Sequence, residues 1–453
     1  MTPRLQKVLD YIQEHQQEYI DMLLELCRQP SLAGTGEGIP EMIELVQKKM
    51  RSVGVEPTLI PTDGNPVIYA EIKGESDRTY GCYDHYDVQP VDPIELWDSD
   101  PFAAEIRDGV IYARGVADNK DGLATRLCAI DAWMKTYGKL PCNVKLIFEG
   151  EEEIGSPNLE PFAKAHPELL ECDGYVWEGG EKEEGGPCEV TMGVKGLLYV
   201  HMKVRTAPGD AHSMYAAIAP NPAWRLVQAL ATMKDEAGNI TIDGFYDDII
   251  PPSETDLSFL DGDPFDPEKT RQYLGIEQFL GGKTDQKELL KDLYFKPTCN
   301  ICGLTSGFQG DGSKTVLPSE ASVKIDFRLV PGMDPKKIFQ LVREHLDRHG
   351  FSDVELIWDS GEPAFRSNLE APFTKAVIGA LEKLYDQPVA LKVSSGGTSP
   401  MHTFCHQTNI PAGMFGASSA TANIHAPNEH LACSAFIEMI RINCAVMEEL
   451  SQY

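Results

Sequence analysis

Seven side chains of this 453-residue sequence are of the types that bind divalent cations and move protons: His85, Asp87, Asp118, Glu152, Glu153, Glu178 and His425. Each stands where a strand or short apolar run gives way to a polar turn, the kind of junction at which a scaffold presents ligands to a cleft. Together they read as the parts of one two-metal hydrolase site.

Taken singly, each has a plainer explanation. His85 and Asp87 occur as Asp84-His85-Tyr86-Asp87, where an acid two residues on suits the orientation of a ligating imidazole. An isolated His-x-Asp is more often a hydrogen-bonded loop. Asp118 precedes a helix, as an ordinary N-cap would. The block Glu149-Gly150-Glu151-Glu152-Glu153-Ile154-Gly155-Ser156 is harder to dismiss, because consecutive acids at a sheet edge repel one another unless a cation is present. Glu178 follows the apolar Tyr175-Val176-Trp177, and His425 sits in the polar loop Asn423 to Glu429. A competing pair, His402 and His406, has the spacing of a helical zinc motif, but position 403 is Thr where that motif needs its catalytic Glu.

The elements that must hold these residues alternate. Leu5 to Cys27 carries apolar residues at helical spacing, and a second helix spans Met42 to Val53. Strands over Pro66 to Ile72 and Thr79 to Tyr83 precede a helix from Leu123 to Tyr137 and a strand from Asn143 to Phe148. That alternation predicts an α/β/α domain with a mostly parallel sheet. Near Val194 to Gly196 the texture changes. Strands over Leu197 to Val204 and Ala321 to Arg328, with helices over Pro222 to Met233 and Pro335 to His345, predict an inserted α+β domain. Asp243 to Pro297 has no clear period and reads as loops and short helices. The expected boundaries are a catalytic domain over 1–195 and 365–453, interrupted by an insert over 196–364.

Composition excludes several partners. A formal charge of -30 argues against nucleic acid, because phosphate binding needs clustered Lys and Arg. No apolar run is long enough to cross a bilayer, and Met1 to Gln13 lacks the apolar stretch of a signal peptide, so a soluble, cytoplasmic protein is expected, with no membrane partner. The eleven cysteines are an odd number and dispersed, and are read as reduced.

The order His-x-Asp, Asp, Glu-Glu, acid, His resembles the M20 family of metallopeptidases, and within it the cytosolic dipeptidase and carnosinase-like branch. Its most specific pieces here are His85-Tyr86-Asp87-Val88-Gln89-Pro90, Trp97-Asp98-Ser99-Asp100-Pro101-Phe102, the Glu149 to Ser156 block, Lys314 to Pro318, and Arg328-Leu329-Val330-Pro331. The resemblance implies one metal on His85 and Glu178, a second on Glu153 and His425, and Asp118 bridging both. It makes Glu152 the general base and Asp87 the partner of His85, and it implies a cis peptide at Asp118-Asn119. It makes the insert a lid that dimerises, with His212 of Asp210-Ala211-His212-Ser213 reaching the partner subunit's active site. Thr315 and Gly396-Gly397-Thr398 match positions that contact substrate backbone. Arg328 has the chemistry to bind a substrate carboxylate bidentately. The dipeptidase branch usually has Asp where this chain has Glu178, which is more typical of carboxypeptidase and deacylase members.

These readings lead to one expectation: a homodimeric, dinuclear metal-dependent dipeptidase using two divalent ions, zinc first and manganese or cobalt as alternatives, on small peptide substrates. An N-acyl-amino-acid deacylase or carboxypeptidase is the rival within the family. A catalytically silent binding protein on the same fold is the rival outside enzymes, and the complete ligand set argues against it.

Overall fold

The computed structural model describes residues 1–180, 182, 188–386, 388–406, 409–419 and 421–453. The chain forms two units, Met1–Gly193 with Ser367–Val393 and Thr403–Tyr453, and Val194–Arg366 with Ser394–His402.

The first unit is built on an eight-stranded sheet in the order Thr58–Ile60, Val67–Ile72, Cys142–Glu149, Ser76–His85, Gly174–Val176, Ala412–Phe415, Glu189–Thr191 and Ala390–Lys392. Its centre is parallel, with Ser76–His85 pairing in parallel to Cys142–Glu149 on one side and to Gly174–Val176 on the other. Every residue of Cys142–Glu149 is buried, as suits an interior strand, paired in parallel to Ser76–His85 and antiparallel to Val67–Ile72, with both faces covered. The helix Cys433–Leu450 packs against both Lys120–Tyr137 and Pro372–Tyr385. Lys120–Tyr137 is buried on nearly all sides along its first fourteen residues, which is why its sequence shows only a weak apolar stripe.

Register positions the site. Asp84 lies opposite Phe148 and His85 opposite Glu149, while Cys82 lies opposite Val176. The carboxyl ends of three parallel strands therefore coincide, the place where open α/β sheets gather functional loops.

The second unit has a four-stranded sheet in the order Asn300–Ser306, Glu320–Leu329, Gly196–Arg205 and Glu355–Glu362, antiparallel throughout. Burial alternates along Gly196–Arg205, the mark of a sheet packed on one face. Leu198, Val200 and Met202 join Leu226 of the helix Pro222–Ala231 and Val342 of the helix Pro335–Arg348 in one core cluster. Positions 243–297 hold the short helices Glu254–Phe259, Pro267–Leu274 and Gln286–Phe295, each started by a side-chain cap, from Ser253, Asp266 and Asp285 in turn.

The single helix expected over Leu5 to Cys27 is two, Pro3–Glu14 and Gln16–Arg28. The break is at His15, whose φ of -112° and ψ of 17° leave the helical region and whose ring stacks on Tyr11 at 3.9 Å. No Gly or Pro marks it, so apolar periodicity passes straight over the join. Among the described residues no helix is long and apolar enough to cross a membrane. The eleven cysteines are all free thiols.

Candidate metal centre

The acidic block that follows the strand Cys142–Glu149 does not pool its charge. Glu149 accepts hydrogen bonds from the Tyr83 hydroxyl and from Ser156 Oγ, and Glu151 accepts one from Asn158 Nδ2 at 2.7 Å. Those partners tie down two of the four acids and leave Glu152 and Glu153 for the site. Gly150 is required at the turn, because a Cβ there would meet the Tyr86 ring at 2.2 Å.

Asp87 organises the next layer. Its Oδ1 lies 3.3 Å from His85 Nδ1 and accepts the Glu152 N–H at 3.3 Å, while its Oδ2 accepts the Glu153 N–H at 3.0 Å. The Asp87 carbonyl also lies 3.0 Å from His85 Nδ1, so the other ring nitrogen, Nε2, is the one that faces the cluster. Gln89 holds Glu153 from the far side, with its backbone N–H on Oε1 at 3.2 Å and its side-chain amide on Oε2 at 2.9 Å.

Asp118 stands at the middle. Its Oδ1 is 3.1 Å from His85 Nε2 and its Oδ2 is 2.9 Å from His425 Nε2. Each imidazole then meets one further acid: His85 Nε2 lies 3.3 Å from Glu178 Oε2, and His425 Nε2 lies 3.1 Å from Glu153 Oε2. Ligand atoms from His85, Asp118 and Glu153 all fall within 4.8 Å of one another. The Asp118-Asn119 peptide is cis. His425 has a φ of 60°, a conformation that L residues seldom adopt, and its side chain is 52% exposed, leaving one side of the cluster open.

The electrostatics follow from this crowding. Burial pushes Glu152 up to about 7; the neighbouring His85 opposes that, while Asp118, Glu153 and Asp87 add to it. Bonds to Asp118 and Glu153 push His425 up to about 10. Burial works against the charged form of His85, yet Asp118 and Asp87 raise it well above the ordinary histidine value. Burial likewise opposes ionisation of Asp118, but the two imidazoles hold it far below the usual carboxylate range.

Several residues that build this centre escaped the sequence reading. Glu429, fully buried, accepts N–H bonds from Gly115, Ala117 and Asp118 at 2.9, 2.8 and 3.2 Å and pairs with Arg114 at 2.7 Å. It thus joins the loop of Asp118 to the loop of His425, four residues before it. Gln89, Asp84 and Arg126 belong to the same supporting layer. Glu429 and Arg114 both lie inside segments whose residues invite attention, but nothing in their spacing says that they meet.

The second unit carries the remaining predicted residues in two places. His212 pairs with Val316 across the small ladder of Ala211–His212 and Val316–Leu317, and the Thr315 carbonyl accepts the Ser213 N–H at 3.1 Å, so His212 and Thr315 are neighbours. Both are exposed. Arg328 donates through Nη1 to Thr398 Oγ1 at 2.7 Å, which brings that predicted pair together.

Two imidazoles, a central carboxylate and flanking acids at strand ends define a metallopeptidase type of centre, and comparison with known proteins agrees. The chain belongs to peptidase family M20/M25/M40, whose sequence profile matches residues 81–449. It is 26% identical to Beta-Ala-His dipeptidase of Rattus norvegicus, over 99% of this chain and 96% of that protein. It is 25% identical to Cys-Gly metallodipeptidase dug1 of Schizosaccharomyces pombe, over 100% of this chain and 99% of the other. Among solved structures, the M20 family metallo-carboxypeptidase Sso-CP2 from Sulfolobus solfataricus superposes with a TM-score of 0.89 at 35% identity, covering 96% of this chain and 100% of that one. Human carnosine dipeptidase 1 superposes with a TM-score of 0.81 at 25% identity, covering both chains in full.

Proposed function

We propose that this metallopeptidase is a dinuclear exopeptidase that hydrolyses the amide bond of dipeptides or other short peptides. The observation that carries the reading is the position of Asp118, one oxygen toward each of two imidazoles that are each completed by a second acid. Two histidines and three carboxylates form a donor set suited to zinc, and manganese or cobalt accept the same mix. His85 and Glu178 would hold one ion, Glu153 and His425 the other, with Asp118 shared. When bound, such a pair of cations acidifies a water, polarises the scissile carbonyl and offsets the developing negative charge.

Glu152 then has the work of the general base: it takes the proton of the attacking water and delivers it to the leaving amine nitrogen. Burial raises the Glu152 carboxyl above the ordinary carboxylate range, the direction that favours a group which must hold the proton as well as take it. The names of two relatives, for Beta-Ala-His and Cys-Gly cleavage, support dipeptides as the substrate class. Arg328, with its fork of donors beside Thr398, is assigned the substrate's free carboxylate, and His212 the completion of a partner subunit's site in a homodimer. The exposure of Met214, Ile218 and Trp224 on the second unit supports an association surface there.

Glu178 favours a second reading. Its extra methylene, together with the 35% identity to a carboxypeptidase, supports release of C-terminal residues from longer peptides or N-acylated amino acids. Purified protein given zinc, manganese or cobalt should be assayed on a dipeptide, the matching tripeptide and the N-acetylated amino acid. Preference for the dipeptide supports the first reading. Preference for the blocked or longer substrates supports the second, and no turnover on any of them with each metal rejects both.

A further inference from the structure

Arg126, buried on the helix Lys120–Tyr137, reaches the ends of two strands that lead into the site. Its Nε and Nη2 donate to the two oxygens of Asp84, each at 3.2 Å, and Nη2 donates as well to the Trp177 carbonyl at 3.3 Å. Asp84 immediately precedes His85, and Trp177 immediately precedes Glu178. Nη1 donates to Asn443 Oδ1 at 3.2 Å, an oxygen that also accepts the Tyr80 hydroxyl at 2.8 Å. Asn443 is in turn anchored on the Met439 carbonyl of the closing helix at 2.8 Å. Asp84 and Asn443 are wholly buried. The approach depends on Gly122, where a Cβ would fall 2.3 Å from Asp84 Oδ1.

The backbone alone does not fix the distance between these two ligands. Pairing between Ser76–His85 and Gly174–Val176 runs from Tyr80 opposite Gly174 to Cys82 opposite Val176 and ends there. Beyond that point the Tyr83 and Trp177 rings stack at 3.9 Å, and Arg126 is the hydrogen-bonded bridge, joining position 84 to position 177. A guanidinium is suited to the task, since it stays charged when buried and offers several donors in one rigid plane. The other three ligands lean on different supports: His425 and Asp118 on the Glu429 and Arg114 pair, and Glu153 on Gln89 and Asp87.

We infer that Arg126 is a positioning residue that sets His85 against Glu178, and that with Asp84 it lets one ion's affinity vary independently of the other's. The inference rests on the proposed ligand assignment. Calorimetric titration of the metal-free protein with zinc ion counts the ions bound and gives both affinities. Arg126→Met is expected to weaken one ion by about 10- to 100-fold, the range seen when groups behind metal ligands are removed, and to leave the other unchanged. Circular dichroism of the metal-free variant checks that it folds. If it does not, the double variant Asp84→Leu with Arg126→Leu, which replaces the pair by apolar side chains, takes its place with the same expected result. Equal weakening of both ions, or of neither, in a folded variant overturns the inference while leaving the ligand assignment standing. Wild-type protein that binds fewer than two zinc ions overturns the assignment and the inference together.

Discussion

One oxygen of Asp87, Oδ1, lies 3.3 Å from His85 Nδ1 and accepts the backbone N–H of Glu152 at the same distance. A carboxylate that only steadied a ligand would have no call on the base. This one fixes the imidazole and the peptide that carries Glu152 together, so loss of Asp87 should be felt in both metal binding and turnover. Asp87→Ala is expected to lower zinc affinity and, at saturating zinc, kcat, each by about 10- to 100-fold. Zinc titration and steady-state kinetics separate the two effects, and a change in affinity alone would confine Asp87 to orienting His85.

Of the two acids that the block leaves for the site, Glu153 lies 3.1 Å from His425 Nε2, whereas Glu152 makes no such contact with either imidazole among the described residues. Glu152→Gln, which keeps shape and removes the base, should lower kcat by about 10²- to 10⁴-fold while two ions remain bound. Metal analysis of the purified variant beside its kinetics checks this. Loss of an ion would make Glu152 a ligand.

If His212 acts across a dimer, two inactive proteins should complement each other. A mixture of His212→Ala and Glu152→Ala subunits, after exchange, forms heterodimers in which one site keeps both residues. Activity should return to a fraction of wild type in proportion to the heterodimer, followed by mass spectrometry of the mixture. Verified exchange without recovery would return His212 to its own subunit or to no role.

Much of the candidate centre is legible in the sequence because its residues sit at strand ends, where an apolar run stops and a polar residue follows. The sequence marks such junctions directly, and His85, Glu152, Glu153 and Glu178 all stand at one. Asp118 and His425 were found by type and by likeness to a family, since an acid before a helix and a histidine in a loop have commoner explanations. What escaped was the layer behind. Glu429 meets Arg114 across 315 positions of chain, beside the antiparallel pairing of His430–Ala432 with Val110–Tyr112, and Arg126 meets Trp177 from a buried helix, contacts that only the tertiary fold creates. The break at His15 escaped for a local reason: it carries no breaker residue, and both helices keep the apolar period on either side of it.

His345 should make the second unit sensitive to acid. It is buried on the helix Pro335–Arg348, with Nε2 3.0 Å from Thr232 Oγ1 and its ring 4.3 Å from that of His349. Burial, and after it the neighbouring His349, holds its pKa below the ordinary 6.5. Below pH 6.5 the unfolded chain takes up a proton that the folded one refuses, so this contribution to stability is intact above that pH and is lost as pH falls toward the lower folded value. His345→Gln should therefore lose less stability than wild type between about pH 7 and about pH 5, measured as the shift of the urea midpoint. Identical shifts would mean that other groups govern the acid limb.

Arg328 is the test of substrate class. It lies on the strand Glu320–Leu329, and its side chain is 35% exposed, held by Thr398 at 2.7 Å with Asp326 3.5 Å from Nε. Those contacts aim the side chain and leave donors over for a ligand, as an anchor for a planar carboxylate requires. A charge-assisted pair of this kind contributes about 1.5–3 kcal/mol, so Arg328→Ala should lower kcat/KM for free peptides by about ten- to a hundredfold. Peptides amidated at the C-terminus lack the negative charge, so they should be poor substrates of the wild type and lose little more in the variant. Measuring kcat/KM for a free and an amidated peptide with both proteins gives the coupling directly. If wild type cleaves the two forms equally, the enzyme does not read a free carboxylate; if it prefers the free form and Arg328→Ala keeps that preference, another residue does the reading.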